Sequence, residues 1–76
     1  SYGGVKEDPV EAGRWNRVAA EGGRWLAQLR WGYHLKYGYG TPVNGREAYR
    51  WLKQARDNGL TQADEHLDPA FVAANR

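Results

Sequence analysis

The fold is decided by the segment NGREAYRWLKQARDNGLTQA, residues 44–63, because it repeats an earlier segment of the same chain. Residues 8–27 read DPVEAGRWNRVAAEGGRWLA, and a shift of 36 residues aligns the two stretches. Over the whole chain the shift gives eight identities in forty aligned pairs, including the pattern Ala-x2-Trp-x3-Ala-x3-Gly-x3-Ala. Spacings of three and four residues are helical, and a period between about 20 and 50 residues is typical of a solenoid.

Signals for the start of a helix occur at the same place in both copies. Residues 8–11 read DPVE, which gives an Asp at the N-cap, a Pro in the first turn and a Glu at the third helical position. Residues 44–47 read NGRE and again combine a cap residue with Glu, so both are variants of the capping box. Gly or Asn then follows each copy as a C-cap. We therefore predict helices over residues 9–21 and 45–57.

The remaining elements are a middle helix and a shorter C-terminal part. Residues 24–37, RWLAQLRWGYHLKY, are apolar nearly all round the helical wheel, which predicts a helix buried on both sides. A fourth helix is predicted over residues 61–67, followed by a short turn through Phe71 and Val72. The fold class is therefore all-α: a short α-solenoid of about four helices in antiparallel hairpins.

The predicted core combines small and aromatic side chains at helical spacing. A chain of 76 residues without cysteine must gain its stability from packing, and each aromatic can bury roughly 150–250 Å². The core residues that the pattern predicts are Ala12, Trp15, Ala19, Ala27, Trp31, Leu35, Ala48, Trp51, Leu52 and Ala55.

Composition and spacing argue against most catalytic and metal chemistry. Without cysteine there is no disulfide, thiolate ligand or cysteine nucleophile, and Ser1 is the only serine, which excludes a serine triad. His34 and His66 lack partners at metal-ligand spacing. The net charge of +2 is too weak to indicate nucleic acid, and no apolar run approaches the roughly 20 residues of a membrane span. We expect no enzymatic activity, no cofactor, no metal site and no membrane insertion.

The glycines of residues 36–45, KYGYGTPVNG, are better explained as a joint than as a phosphate loop. The segment follows a helix instead of a strand, and no Lys-Ser/Thr completes a Walker motif. Gly38 and Gly40 are predicted to take positive φ at the end of one helix, and Pro42 prevents that helix from continuing.

The spacing of these residues resembles the Sel-one-like repeat, a relative of the tetratricopeptide repeat (TPR). The resemblance runs through Ala27-x3-Trp31-Gly32, Gly38-x-Gly40, Asn44, Ala48-x2-Trp51, Ala55 and Gly59-x3-Ala63. It implies a single repeat domain over residues 1–76, with half a repeat at 4–23, a full repeat at about 27–62 and a partial or capping repeat at 63–76. Since this phase begins after the first helix of one unit, either the chain is part of a longer array or unusual ends cap it.

The resemblance implies an adaptor that binds a partner protein or peptide without catalysis. Two alternatives stay open: a purely structural segment of a longer array, and contact with a polyanion or carbohydrate through basic helix faces and exposed aromatics. Self-association through uncovered repeat ends is a further expectation, whereas nucleic acid is not an expected partner. The sequence does not indicate a compartment.

Candidate partner-binding residues come from the aromatic and basic side chains that the core does not use, since aromatics and Arg are the usual interface anchors. In helix-hairpin stacks the first helix of each unit lines the concave side, where Trp25 either meets a peptide or covers the end of the stack. Arg14 and Arg50 occupy equivalent repeat positions and predict a basic ladder, although a solvated face is the favoured interpretation. The full candidate set is Arg24, Trp25, Gln28, His34, Tyr39, Tyr49 and Arg50.

Overall fold

A computed structural model describes residues 8–76, which form four α-helices and one 3-10 helix. Helix α1 spans Pro9–Glu21, α2 spans Trp25–Tyr37 and α3 spans Gly45–Asp57. The 3-10 helix spans Thr61–His66, and α4 spans Pro69–Asn75. The predicted all-α solenoid is confirmed, and the first three helices lie within a residue of their predicted bounds.

Consecutive helices pack side by side in opposite directions. Gly13, near the start of α1, lies against Trp31 and His34 near the end of α2. At the other end of the pair, the Gln28 side chain reaches the Ala20 carbonyl. Helix α2 packs next against α3, which in turn packs against the 3-10 helix and α4. Each element therefore contacts mainly its neighbours in sequence, as in a solenoid.

Side-chain caps fix where three of the helices begin. Asp8 Oδ1 accepts a hydrogen bond from the Val10 amide at 2.9 Å, and Asn44 Oδ1 accepts one from the Glu47 amide at 3.2 Å. These bonds satisfy amides that have no partner within the helix. Helix α4 is capped in the same way by Asp68, whose side chain accepts from the Phe71 amide at 3.2 Å.

The joint between α2 and α3 has the predicted glycine geometry. Gly38 is the C-cap of α2 with φ 73°, and Gly40 follows with φ 74°. A side chain at Gly40 would also collide with the backbone carbonyl of Pro9, because the joint lies against the first turn of α1. Both positions therefore require glycine for backbone reasons.

The core consists of two adjoining clusters that share Phe71 at their edges. The first contains Ala20, Ala27, Trp31, Leu35 and Ala48, with Ala19 and Trp51 half-buried beside it. The second contains Leu52, Ala55 and Ala63. Phe71 of α4 packs against both clusters, so the C-terminal helix closes the stack over α3.

Trp15 was wrongly predicted as a core residue, since it is 71% exposed. It occupies the same repeat position as Trp51, but the two helices have different surroundings. Helix α3 is enclosed by α2 on one side and by the 3-10 helix and α4 on the other, whereas α1 packs chiefly against α2. Ala12 is only half-buried for the same reason.

The predicted fourth helix is a 3-10 helix rather than an α-helix, and the predicted turn after it is α4. In the 36-residue repeat, residues 61–73 correspond to α2, but Pro69 stands where α2 has Tyr33. Proline removes a backbone donor and disfavours a helical residue before it, and Asp68 is accordingly extended with ψ 156°. The equivalent of α2 is therefore broken into two short helices.

Candidate functional site

Helix α2 has two apolar faces, and only one of them is buried. Ala27, Trp31 and Leu35 point into the core between α1 and α3. Other large apolar side chains of α2 remain exposed, among them Trp25, Leu26, Tyr33 and Tyr37. The prediction that α2 is buried on both sides was therefore wrong. Its contacts with α1 and α3 centre on the face that carries Trp31, and Leu29 at the edge of the other face is half-buried against the second core cluster.

A groove of two joined depressions runs along this exposed face. The first, of about 580 Å³, lies beside the start of α2, and the second, of about 380 Å³, lies beside its last turns. The two depressions adjoin each other, since Asn16 and Arg30 line both. The lining of the first is completed by Ala19, Gly23, Arg24, Trp25, Leu26 and Ala27, and that of the second by Leu29, Tyr33, His34, Tyr39 and His66.

Tyr33 is the centre of an aromatic cluster in the second depression. Its ring centroid lies 4.8 Å from that of Tyr37, 6.2 Å from that of Tyr39 and 5.5 Å from that of His66. The contacts with Tyr39 and His66 are edge-to-face, with interplanar angles of 75° and 81°. The cluster combines residues of α2, the following joint and the 3-10 helix, so it exists only in the folded chain.

Lys36 holds the 3-10 helix and α4 against α2. Its ammonium donates to the His66 carbonyl at 2.7 Å and to Asp68 Oδ1 at 3.0 Å, and it lies 4.5 Å from the centroid of the Phe71 ring. The hydrogen bond from Lys36, together with the Phe71 amide, lowers the pKa of Asp68 below its ordinary value. These contacts fix His66 in the groove wall without filling the groove.

His34 positions the groove wall instead of binding a partner directly. Only 4% of the residue is exposed, which corrects its prediction as a contact residue. Its Nδ1 lies 2.7 Å from the Tyr39 carbonyl, which can only accept, so this nitrogen carries the proton. The Asn16 side-chain amide then donates to Nε2 at 3.2 Å. His34 thereby ties α1 and the joint to α2, and it sets the position of Tyr39.

Gln28 is also buried, with 1% exposure, and does not reach a partner from outside. It lies between α1 and α2, where its side-chain nitrogen donates to the Ala20 carbonyl at 3.4 Å. Its Oε1 has no hydrogen-bond partner in the described part of the chain. The prediction of a contact role for Gln28 is therefore corrected as well, because its position on the helix turns it toward α1.

The structure separates the remaining candidates into two surfaces. Arg24, Trp25 and Tyr39 line the groove, and Trp25 is 52% exposed. Tyr49 and Arg50 lie elsewhere, in a separate depression of about 360 Å³ on α3. Tyr39 and Tyr49, both in the candidate set, therefore do not share one depression.

Several groove residues were missed by sequence reasoning, notably Asn16, Arg30, Tyr33 and His66. One signal was present: Leu29, Tyr33 and Tyr37 form an i, i+4 stripe, but they were interpreted as a second buried face. Arg30, three positions before Tyr33, lies on the same side of α2 and lines the same depression. A stripe of tyrosines beside an arginine is more typical of an interface than of a core.

Of the basic ladder, Arg14 is paired with a carboxylate of its own helix, whereas Arg50 makes no ion pair within residues 8–76. Arg14 lies 3.5 Å from Glu11, and Lys53 lies 3.2 Å from Asp57. Arg17 makes the corresponding contact with Glu21 at 3.2 Å. These pairs reduce the positive field on the outer faces of both helices.

The described helices include none long and apolar enough to cross a membrane. Within residues 8–76, no group of three or more His, Asp or Glu side chains is placed to hold a metal ion. The arrangement instead offers an open, aromatic and basic groove on a rigid helical scaffold.

The comparisons with known proteins agree with the helical repeat. The family model of the Sel1 repeat matches the chain twice, at residues 1–23 and 25–60. No solved structure gives a significant match to the chain. Sel1 repeats form TPR-like helical solenoids that generally mediate protein–protein interaction and are typically non-catalytic. The chain therefore belongs to the Sel1 repeat family.

Proposed function

We propose that this chain is a non-catalytic adaptor module and that it binds a segment of a partner protein in the groove along α2. The observation that carries the proposal is the exposed aromatic face of α2, where Trp25 and Tyr33 line two adjoining depressions that share Arg30. Aromatic and arginine side chains supply most hot spots in protein interfaces. An apolar surface of this kind on a soluble helix commonly marks an interaction site.

The groove is also built to keep its shape. Its walls come from α1, α2 and the 3-10 helix, which are tied together by His34 and Lys36. A preformed groove lowers the cost of ordering side chains when a partner binds. This supports a site for a short segment of protein laid along the helix.

Peptide display on the whole chain tests the proposal. A random dodecapeptide library is selected against the protein, and the affinity of the enriched peptides is measured by fluorescence anisotropy. We expect Trp25→Ala and Tyr33→Ala each to weaken binding by roughly tenfold or more, as for interface anchors. Trp15→Ala is the matched control, since Trp15 is an even more exposed aromatic side chain that lies outside the groove.

Two outcomes contradict the proposal. If the selection enriches no peptide, or if the enriched peptides bind the Trp25→Ala and Tyr33→Ala variants as well as the original, the groove is not a binding site. If Arg50→Glu alone abolishes binding, the contact surface is the basic side of α3, as in the polyanion alternative. Circular dichroism of each variant shows that the helices are retained.

A further inference from the structure

The walls of the groove carry the positive charge of Arg24 and Arg30. Among the described residues, neither arginine lies within 4.0 Å of a carboxylate; Arg46, Arg50 and Arg76 share that property but do not line the groove. Both groove arginines are exposed, and no Asp or Glu is among the residues that line either depression. The lining thus combines apolar and aromatic side chains with two arginines.

This combination restricts the chemistry of an occupant. A cationic or methylated-lysine ligand would suit the tyrosines alone, but Arg30 on the same wall repels it. A wholly apolar segment would cover part of the arginine side chains and leave their charge less well solvated. A segment that places carboxylates against the guanidinium groups forms charge-assisted, two-pronged hydrogen bonds and keeps the apolar contact.

The separation of the two arginines sets a length scale. They are six positions apart along α2 and its N-cap, which corresponds to about 9 Å along the helix axis. An extended chain covers that distance in about three residues. Between the arginines lie Leu26 and Leu29, which offer apolar contact to whatever joins the two acidic groups.

We propose that the occupant is an acidic, extended protein segment in which carboxylate side chains flank an apolar or aromatic residue. The carboxylates, about three residues apart, bind Arg24 and Arg30, and an apolar side chain from the two residues between them packs on Leu26, Leu29 and Tyr33. The proposal rests on the proposed function, because it names the partner of the same groove. Single-stranded nucleic acid would also offer anions, but the Tyr33 contacts with Tyr39 and His66 are edge-to-face and form no row of parallel stacking surfaces.

The test uses the peptides selected on the whole chain. We expect Asp and Glu to be enriched on both sides of an apolar or aromatic position. Replacing these acidic residues by Asn and Gln should weaken binding roughly tenfold, and added salt should weaken it further. Arg24→Gln and Arg30→Gln should each cost several-fold to about tenfold in affinity, while Arg50→Gln, an exposed arginine outside the groove, should not.

A double-mutant cycle identifies the pairing itself. If Arg30 contacts a peptide carboxylate, the loss from Arg30→Gln and the loss from the Glu→Gln peptide are not additive, because they remove the same interaction. Full additivity for both arginines overturns the proposed pairing.

The remaining outcomes separate this inference from the proposed function. Peptides that depend on Trp25 and Tyr33 but carry no acidic enrichment leave the groove as a binding site and overturn the acidic partner. Peptides whose affinity is unchanged in the Trp25→Ala and Tyr33→Ala variants overturn the proposed function. Tight binding of an oligouridine probe that is lost in Arg24→Gln and Arg30→Gln, without acidic peptides among the binders, assigns the groove to nucleic acid and overturns the inference.

Discussion

Gly32 and Gly13 both lie inside helices, but the room for an added Cβ atom differs between them. A Cβ at Gly32 would lie 2.7 Å from Leu52 Cγ and 3.3 Å from the Leu52 backbone nitrogen, so α2 and α3 would have to separate. A Cβ at Gly13 would lie 3.5 Å from the Trp31 ring, which is ordinary contact. We expect Gly32→Ala to destabilise the protein by about 1–3 kcal/mol, as overpacking does.

Gly13→Ala serves as the matched control, with the opposite sign. Replacing glycine by alanine in a helix interior removes conformational freedom from the unfolded chain, so stability should rise by roughly 0.5–1 kcal/mol. Urea unfolding monitored by circular dichroism gives both values. Equal stability of the two variants would show that the close approach of α2 to Leu52 is not a tight contact.

At the level of whole elements, the attachment of α4 depends on the charge of Asp68. Lys36 and the Phe71 amide lower the pKa of Asp68, so its carboxylate is favoured by folding. A group with a lowered pKa stabilises the folded state above its ordinary value, and that stabilisation is lost as the pH falls through the pKa of the folded state. We therefore expect the contribution to be complete above about pH 5, to decline as the pH falls past the ordinary carboxyl value of 3.8, and to be lost once the pH is below the lowered pKa of the folded state.

The measurement is the free energy of unfolding of the original protein minus that of Asp68→Asn, as a function of pH. Asparagine is also a good N-cap, so the variant removes the charge and keeps the cap. Carboxylates elsewhere in the chain contribute equally to both proteins and cancel. A difference that stays constant from neutral pH to strong acid contradicts the role of the Lys36–Asp68 pair.

Trp51 and Trp15 provide a second test at the same scale, because they occupy one repeat position in two helices. Trp51 packs against the first core cluster, as Phe71 does, whereas Trp15 is exposed. We expect Trp51→Ala to cost about 3 kcal/mol, near the low end for large aromatic residues because it is only half-buried. Trp15→Ala should cost less than about 1 kcal/mol. Thermal melts that show equal losses would contradict this assignment of the core.

The same pair shows how far the sequence predicts the fold. Helix positions, caps and the joint follow from local chemistry: Asn44 caps its own helix, and Gly38 sets its own backbone angle. Burial depends on neighbours, and the 36-residue repeat gives Trp15 and Trp51 identical local signals. The break before Pro69 also follows from local chemistry, since the fourth helix was predicted to end at residue 67; the 3-10 geometry of residues 61–66 and the helical form of residues 69–75 were not predicted.

At the scale of the whole molecule, the candidate site was predictable only in part, because its residues too are exposed or brought together by neighbouring elements. Trp25 and Arg24 were chosen because they begin the helix expected on the concave side, and both line the groove. Helical periodicity cannot distinguish a second buried face from an exposed binding face, so Tyr33 was assigned to the interior. His66 reaches the groove through the Lys36 contact with its carbonyl, a tertiary contact that no spacing in the sequence indicates.

The stacking order also predicts that stability is uneven along the chain. Helix α3 is enclosed on two sides, whereas α1 packs chiefly against α2. In a solenoid, opening free energies follow such nearest-neighbour contacts. We expect native-state hydrogen exchange, corrected for intrinsic rates, to show the amides of α1 opening at least about tenfold more often than those of α3.

This gradient bears on binding, because Asn16 and Ala19 of α1 line the groove. A peptide that binds only the closed groove stabilises it by mass action, so it should slow exchange in α1 more than in α3. Trp15→Ala is the control that should leave the gradient in place, whereas Trp51→Ala should raise exchange in α2 and α3. If the amides of α1 and α3 are equally protected in the free protein, the chain opens as one cooperative unit and the predicted gradient is wrong. If the peptide slows exchange only in α3, the binding surface lies on the side of Tyr49 and Arg50.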